Sequence, residues 1–498
     1  MKKYYRSIEE YKEIIRSKNG EKLPEKEPEP EFSTEGLSED EKAGRSTRRD
    51  FLKMLGFTAS YAALASSCEM PVRKAIPYLN QPEEVKPGIA NFYASSYYDG
   101  HEYCSILVKT REGRPIKIEG NNLSAVTKGG TSARVQASVL SLYDTARLQG
   151  PMKDKAGIEW ETVDDEIVSK LNEIKDAGGK ITLLTNTVIS PSTKKAIEGF
   201  ISAYPGTEWI QYDNISYSAI DDANEANFGL RAIPSYHFDK AQVIVSFNAD
   251  FLGNWLSPVE YTKQYGRSRS LLNGNENLSK HIQYESYMSL TGSNADARVS
   301  IRPSDELVVL LNLYNELAGE AGMEEVQVRK SPVDVITVAE ELKEHKGRSL
   351  VVSGTNDFHI QSTVNAINYL LGNYGETIDL NNTFNLYKGN DQEMEQLTLR
   401  LESGDVDALI CYGVNPVYDF ASADRFTGGM KNVGLTVSFS PVMDETASLC
   451  QYVLPDNHYL ESWNDAEPKK NHFSLYQPTI PKIFNTRQAQ QSLLIWGG

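Results

Sequence analysis

Five short apolar runs constrain this chain more than any other feature: 181–185 (Ile181, Leu183, Leu184), 243–247 (Val243, Ile244, Val245), 350–353 (Leu350, Val351, Val352), 408–412 (Leu409, Ile410, Cys411) and 435–439 (Leu435, Val437, Phe439). Their apolar residues are consecutive and not merely alternating, which is how a strand reads when both of its faces are covered. Helical patterns lie between them. One opens at Ser190-Pro191-Ser192. Another takes Ser304 as its expected N-cap, with Asp305 and Glu306 at the positive end of the dipole and Leu307, Leu310, Leu311, Tyr314 and Leu317 on one face. Alternation of this kind builds parallel sheets with helices on both sides. The runs spread over too much chain for one sheet. The expectation is therefore an α/β architecture of two doubly wound parallel-sheet lobes, 151–300 and 301–498, preceded by a small β-rich domain at 69–150 with a hairpin turning at Glu112-Gly113. No P-loop or GxGxxG fingerprint accompanies the strands.

Charge and cysteine usage exclude several classes of function. With 51 Lys and Arg against 68 Asp and Glu, the net charge of −17 argues against nucleic acid and against a polybasic membrane face. No stretch of apolar residues is long enough to span a bilayer as a helix. The four cysteines, Cys68, Cys104, Cys411 and Cys450, are too scattered for a disulfide framework, and no CxxC or CxxCH occurs. An iron–sulfur cluster, a c-type haem or a Cys-rich zinc site has no ligand set here. The seven histidines are equally dispersed.

The N-terminal region carries address information. Residues 1–45 are charged and Pro/Glu-rich, an extension expected to stay flexible because it cannot bury enough apolar surface to offset its ordering entropy. Within 46–68, Thr47-Arg48-Arg49-Asp50-Phe51-Leu52-Lys53 matches the twin-arginine export pattern, with Arg48 and Arg49 as the pair, and a mildly apolar run follows. Cys68 closes a segment that resembles a lipobox and is the expected lipid attachment site; cleavage after Ala63-Leu64-Ala65 is the alternative. A twin-arginine signal implies export of a folded protein to the periplasm.

Several phrases in a fixed order then resemble the molybdopterin oxidoreductases. They are 111–121 (Gly113, Arg114, Pro115, Gly120, Asn121), 142–148 (Leu142, Tyr143, Asp144, Arg147), 300–305 (Arg302, Pro303, Asp305), 368–375 (Gly372, Gly375), Gly413-Val414-Asn415-Pro416, and 444–461 (Glu445, Thr446, Leu454, Pro455, Glu461). Further phrases resemble one family closely, the iron–sulfur B subunit of alternative complex III, a quinol:electron-acceptor oxidoreductase. These include Tyr5-Arg6-Ser7-Ile8, Ile76-Pro77-Tyr78 and the stretch 284–298.

That resemblance implies a fold kept without its cofactor. Where relatives hold a cluster, this chain offers only Cys104 and, further on, Gly129-Gly130-Thr131-Ser132. The metal-ligand stretch leaves Asp213, Ser216 and Ser218 as alternatives to cysteine, and the first Gly-x-Asn-Pro has become Ser246-Phe247-Asn248-Ala249. A strand ending in Gly413-Val414-Asn415-Pro416 would bring bare backbone to a nucleotide-like ligand, or simply shape a turn, the reading favoured here. The implied function is a non-catalytic structural part of a membrane-associated respiratory complex. No cofactor is expected in this segment. The iron–sulfur clusters are expected further along the same subunit, which makes the chain a piece of a longer polypeptide. The implied partners are integral membrane quinol-binding subunits and c-type cytochrome subunits, at the periplasmic face of the inner membrane. The alternative is an active molybdenum or tungsten bis-pterin oxidoreductase with a Ser or Asp metal ligand.

Overall fold

Each of the five apolar runs is a strand in the computed structural model, which describes residues 86, 88–271 and 278–498. Ile181–Thr185, Val243–Phe247, Ser349–Ser353 and Leu435–Ser438 are buried along their whole length, and Ala408–Tyr412 along all but its last residue. The N-terminal extension, Arg48, Arg49 and Cys68 lie outside the described residues.

The strands sort into two parallel arrays. One sheet runs Ala156–Gly157, Met152–Lys153, Tyr452–Val453, Leu435–Ser438, Ala408–Tyr412, Ile181–Thr185, Thr207–Gln211, parallel except for its first two strands. Successive side chains feed opposite layers. Ile181, Leu183, Ala408 and Ile410 pack with Val163, Ile167, Phe200 and Trp496, whereas Leu184, Leu409 and Cys411 pack with Leu397, Leu401, Phe426 and Met430. A side chain such as Phe200, removed wholly from water, contributes about 1.5–3 kcal/mol. The second array, Ala297–Ser300, Lys280–Glu285, Val243–Phe247 and Ser349–Ser353, is wholly parallel, and its Val243, Val245 and Phe247 pack under the helices Glu306–Ala321, Ile336–Glu344 and Phe358–Leu370.

The boundary expected at 300/301 does not follow these sheets. Ile181–Thr185 pairs with Ala408–Tyr412, so the first array is built from both ends of the α/β region. The second array, 243 to 353, is inserted between its halves and straddles residue 300. Doubly covered strands look alike in sequence, and nothing in their composition names the neighbour across the ladder. A four-stranded antiparallel sheet, His472–Tyr476, Asn464–Lys469, Ile378–Phe384 and Ile233–Tyr236, was not foreseen at all. The expected hairpin is present, as Tyr103–Arg111 and Arg114–Gly120, with Asn91–Tyr98 completing a three-stranded antiparallel sheet. Its turn residues Glu112 and Gly113 take the left-handed conformation. The helix expected to be capped by Ser304 begins slightly later: Pro303–Asp305 forms a 3-10 turn and Asp305 is the cap of Glu306–Ala321. Among the described residues no helix is long and apolar enough to cross a membrane.

Candidate functional site

Parallel sheets bind ligands beyond the carboxyl ends of their strands. In the seven-stranded sheet those ends lead into Asn186, Gly413 and the pair Tyr212 and Asp213. Gly413 has φ +68°, and a Cβ there would meet Asn186 Oδ1 at 2.8 Å, so both backbone and contact require glycine. Asn415 Oδ1 accepts from the Thr446 backbone N–H (3.0 Å) and hydroxyl (2.7 Å), and its Nδ2 donates to Glu445 (2.7 Å). Pro416 starts the short helix Pro416–Asp419. The Gly-x-Asn-Pro phrase thus shapes a turn tied to the Glu445-Thr446 phrase.

The three candidate ligands are committed to internal bonds. Asp213 is buried. Its Oδ1 accepts from Thr187 N (2.9 Å), and its Oδ2 from the Thr187 hydroxyl (2.6 Å), Gly389 N (2.9 Å) and Lys388 N (3.2 Å). Burial still raises its pKa above the ordinary carboxyl value. Ser216 and Ser218 both donate to Asp391 Oδ2, at 2.8 and 2.9 Å, and Asn356 Nδ2 donates to the same oxygen at 3.1 Å. Asp213 Oδ2 is thus saturated by three donors, whereas the proton that each serine gives to Asp391 leaves lone pairs on the Ser216 and Ser218 oxygens. Among the described residues no group of three or more His, Cys, Asp or Glu gathers as a metal-ligand set.

The second array is closed by a different carboxyl group. Glu306, buried at the start of its helix, accepts from Asn248 Nδ2 (2.6 Å), the Ser353 hydroxyl (2.8 Å) and the Thr355 hydroxyl (2.8 Å). These partners follow or end Val243–Phe247 and Ser349–Ser353, so the Glu306 side chain fills the crevice at the strand ends. A phosphate there would need N–H donors, and it would meet a carboxyl group instead. Asn248 itself is left-handed (φ 49°), and its Oδ1 accepts from Ser286 N (3.1 Å).

The stretch expected to be the cluster remnant does come together. The Cys104 thiol donates to Gly130 O (3.2 Å), and Ser132 Oγ donates to Glu102 (2.7 Å). Burial pushes the Cys104 thiol up to about 12, so it stays protonated at neutral pH. Cys411 and Cys450 are buried free thiols in the helix-facing layer of the seven-stranded sheet, and burial raises both.

Between these elements a cleft of about 210 Å³ opens at Asn186 and Gly413, walled by Tyr98, Tyr412, Tyr476, Asp456 and Asp465, with no Lys or Arg in its lining. Asp465 accepts from the hydroxyls of Ser190 and Ser192, both at 2.5 Å. Asp456 accepts from Asn457 N (2.7 Å) and Ala489 N (3.2 Å), and its surroundings push its carboxyl up to about 7, chiefly by desolvation. Two aspartates without a cation are a poor fit to a pyrophosphate-bearing cofactor. Asp391 escaped the sequence reading because its partners Ser216, Ser218 and Asn356 are remote in the chain, and Asp456 because nothing local marks its burial.

No protein-family model matches the chain. It is 23% identical over 451 residues to the menaquinone reductase, molybdopterin-binding-like subunit, of Nitratidesulfovibrio vulgaris, covering 79% of this chain and 63% of that protein. It is 21% identical over 425 residues to the probable oxidoreductase YyaE of Bacillus subtilis, covering 71% of this chain and 60% of that one. The chain thus spans less than two thirds of the length of either relative. Acetylene hydratase from Pelobacter acetylenicus is similar in structure, with a TM-score of 0.60 over 81% of this chain and 68% of the hydratase, at 13% identity. The α/β fold expected from the strand runs is the fold observed, with parallel sheets covered by helices, and it is similar to that of the hydratase.

Proposed function

We propose that this chain is the cofactor-less, molybdopterin oxidoreductase-like structural part of a membrane-associated quinol:electron-acceptor oxidoreductase of the alternative complex III type. Electron transfer belongs to iron–sulfur clusters elsewhere on the same subunit, and this region acts as scaffold. The chain is exported through the Arg48-Arg49 signal and held at the periplasmic face of the inner membrane by lipidated Cys68 and by quinol-binding membrane subunits and c-type cytochrome subunits. The observations that support the scaffold reading most are that Glu306 fills the strand-end crevice of the second array and that the cleft at the strand ends of the seven-stranded sheet is lined by Asp456 and Asp465 with no Lys or Arg. The similarity to a molybdopterin-binding-like subunit of a menaquinone reductase agrees with it.

Elemental analysis of the purified native protein with its associated subunits tests the reading. We expect molybdenum and tungsten far below one atom per chain and no pterin fluorescence after oxidative release. Stoichiometric metal would instead establish the active bis-pterin enzyme, with Asp213, Ser216 or Ser218 freed to ligate.

A further inference from the structure

We propose that the groove between the strand Asn91–Tyr98 and the hairpin formed by Asn464–Lys469 and His472–Tyr476 is the docking surface for an uncharged, apolar segment of a second protein subunit. This rests on the reading of the chain as a scaffold within a complex, and it names the surface on which that scaffold is used.

The groove encloses about 730 Å³. Its wall is made by side chains that the fold forces outward. In His472–Tyr476, Ser474 is turned inward, where its hydroxyl meets those of Ser96 (2.9 Å) and Tyr103 (2.8 Å), and Tyr476 is buried. Strand alternation then projects Phe473 and Leu475 to the other side, 68% and 65% exposed. Trp463 at 61% and Leu123 at 93% exposure line the same groove. Large apolar side chains gathered this way on a folded protein mark an interaction surface, whereas singly scattered ones mean little.

Charge decides the class of partner. In a chain where 24% of residues are charged and the net charge is −17, none of the eighteen residues lining this groove is Asp, Glu, Lys or Arg. A charged occupant would lose its hydration here and find no counter-charge, so the complementary surface is uncharged as well. Nucleic acid and acidic or basic peptides are excluded on that ground. A concave wall without a lining Lys or Arg suits an inserted uncharged segment better than a flat anionic bilayer. The occupant does not add a strand at this point. Ser96 Oγ donates to Leu475 O (3.1 Å), and Ser95 Oγ donates to Gln477 O (3.3 Å) and accepts from Gln477 N (3.0 Å), so the hairpin edge is already covered. Affinity comes from burying Trp463, Phe473 and Leu475, the kind of aromatic and apolar cluster that dominates interface energetics.

The test uses the full native protein purified with its associated subunits. A photo-reactive residue in place of Leu475 should cross-link to an uncharged, apolar stretch of a co-purifying subunit. The double variant Phe473→Asp, Leu475→Asp should lower recovery of that subunit at least about tenfold. Tyr369→Asp, an equally exposed site elsewhere at 68%, should leave recovery unchanged. Cross-links only to lipid or to a second copy of this chain, or full recovery with the double variant, would overturn the proposal. So would binding of the wild-type chain to phosphatidylcholine vesicles that the double variant abolishes. If the double variant fails to fold, as judged by near-UV circular dichroism, the cross-link map alone decides. A chain that purifies with no associated protein would sink the scaffold reading itself, whereas an intact complex indifferent to the groove would sink only this one.

Discussion

Asp456 and His281 show at the scale of single residues how burial sets the pH response. The Asp456 carboxyl is pushed from 3.8 up to about 7, mainly by desolvation. Between those values the folded chain holds a proton that the unfolded chain has released, so stability falls as pH rises through that window and levels off above it. Asp456→Asn removes this loss while keeping an acceptor for the Asn457 and Ala489 N–H groups. Its stability relative to the parent should therefore rise between pH 5 and pH 8, by about 2 kcal/mol, as read from urea midpoints. His281 runs the other way. It is fully buried, with Tyr265 Oη at 3.2 Å and Gln283 Oε1 at 3.1 Å, and burial lowers it to about 4. The stability it allows is fully present above about pH 6.5, the unfolded value, and is lost as pH falls towards 4, because the unfolded chain takes up the proton first. Nitrogen NMR of the folded chain should find His281 neutral at pH 5.5. Residue roles of this kind were barely legible in the sequence. Cys104 and the serines stood out by type, but the partners that commit them, Gly130 and Asp391, lie 26 and about 175 positions away.

At the scale of elements, the ordered phrases prove to be joints. Arg147, from the 142–148 phrase, makes a two-pronged ion pair with Glu461, from the 444–461 phrase, at 3.2 and 2.7 Å, with both side chains buried. Arg147 also donates to Leu142 O, and Glu461 accepts from His458 N and Ile483 N. Burial opposes the charge on Glu461, but these bonds outweigh it and hold its pKa below the ordinary value. Arg147→Met should cost about 3–5 kcal/mol by stranding the Glu461 charge, and Arg147→Met with Glu461→Leu should recover much of that loss in denaturant titration. In the 284–298 phrase, Glu285 pairs with Arg298 and accepts from Ser289 Oγ (2.6 Å). Gly292 leaves room for it, since a Cβ there would sit 2.0 Å from Glu285 Oε1. Glu306→Gln would turn an amide donor toward groups that already donate, Asn248, Ser353 or Thr355. We expect a loss of about 1–3 kcal/mol, measured as a lower unfolding midpoint. The phrases pointed to the fold correctly, yet their pairing was hidden because an ion pair across more than three hundred residues leaves no local period.

At the scale of the molecule, the interleaving of the two arrays makes the α/β region one folding unit. Residues 151–300 expressed alone would carry Ile181–Thr185 without Ala408–Tyr412, and Val243–Phe247 without Ser349–Ser353. That segment should show no cooperative unfolding transition and poor amide dispersion, whereas the chain from Pro82 onward should fold. The Asn464–Lys469 strand was unreadable beforehand because its charged and amide residues carry no apolar alternation; it is ordered by its neighbours, with Lys469 Nζ buried on Glu260 at 2.6 Å. By itself, the sequence determined which segments would be doubly buried strands, that these would run parallel under helices, and which general fold their ordered phrases resemble. Those properties rest on local composition and spacing. Only the tertiary structure decided which strands share a sheet, which carboxyl groups lie at the strand ends, and which apolar side chains remain facing water. Each of these is a contact between residues far apart in the chain, set by competition among similar surfaces for the same partners.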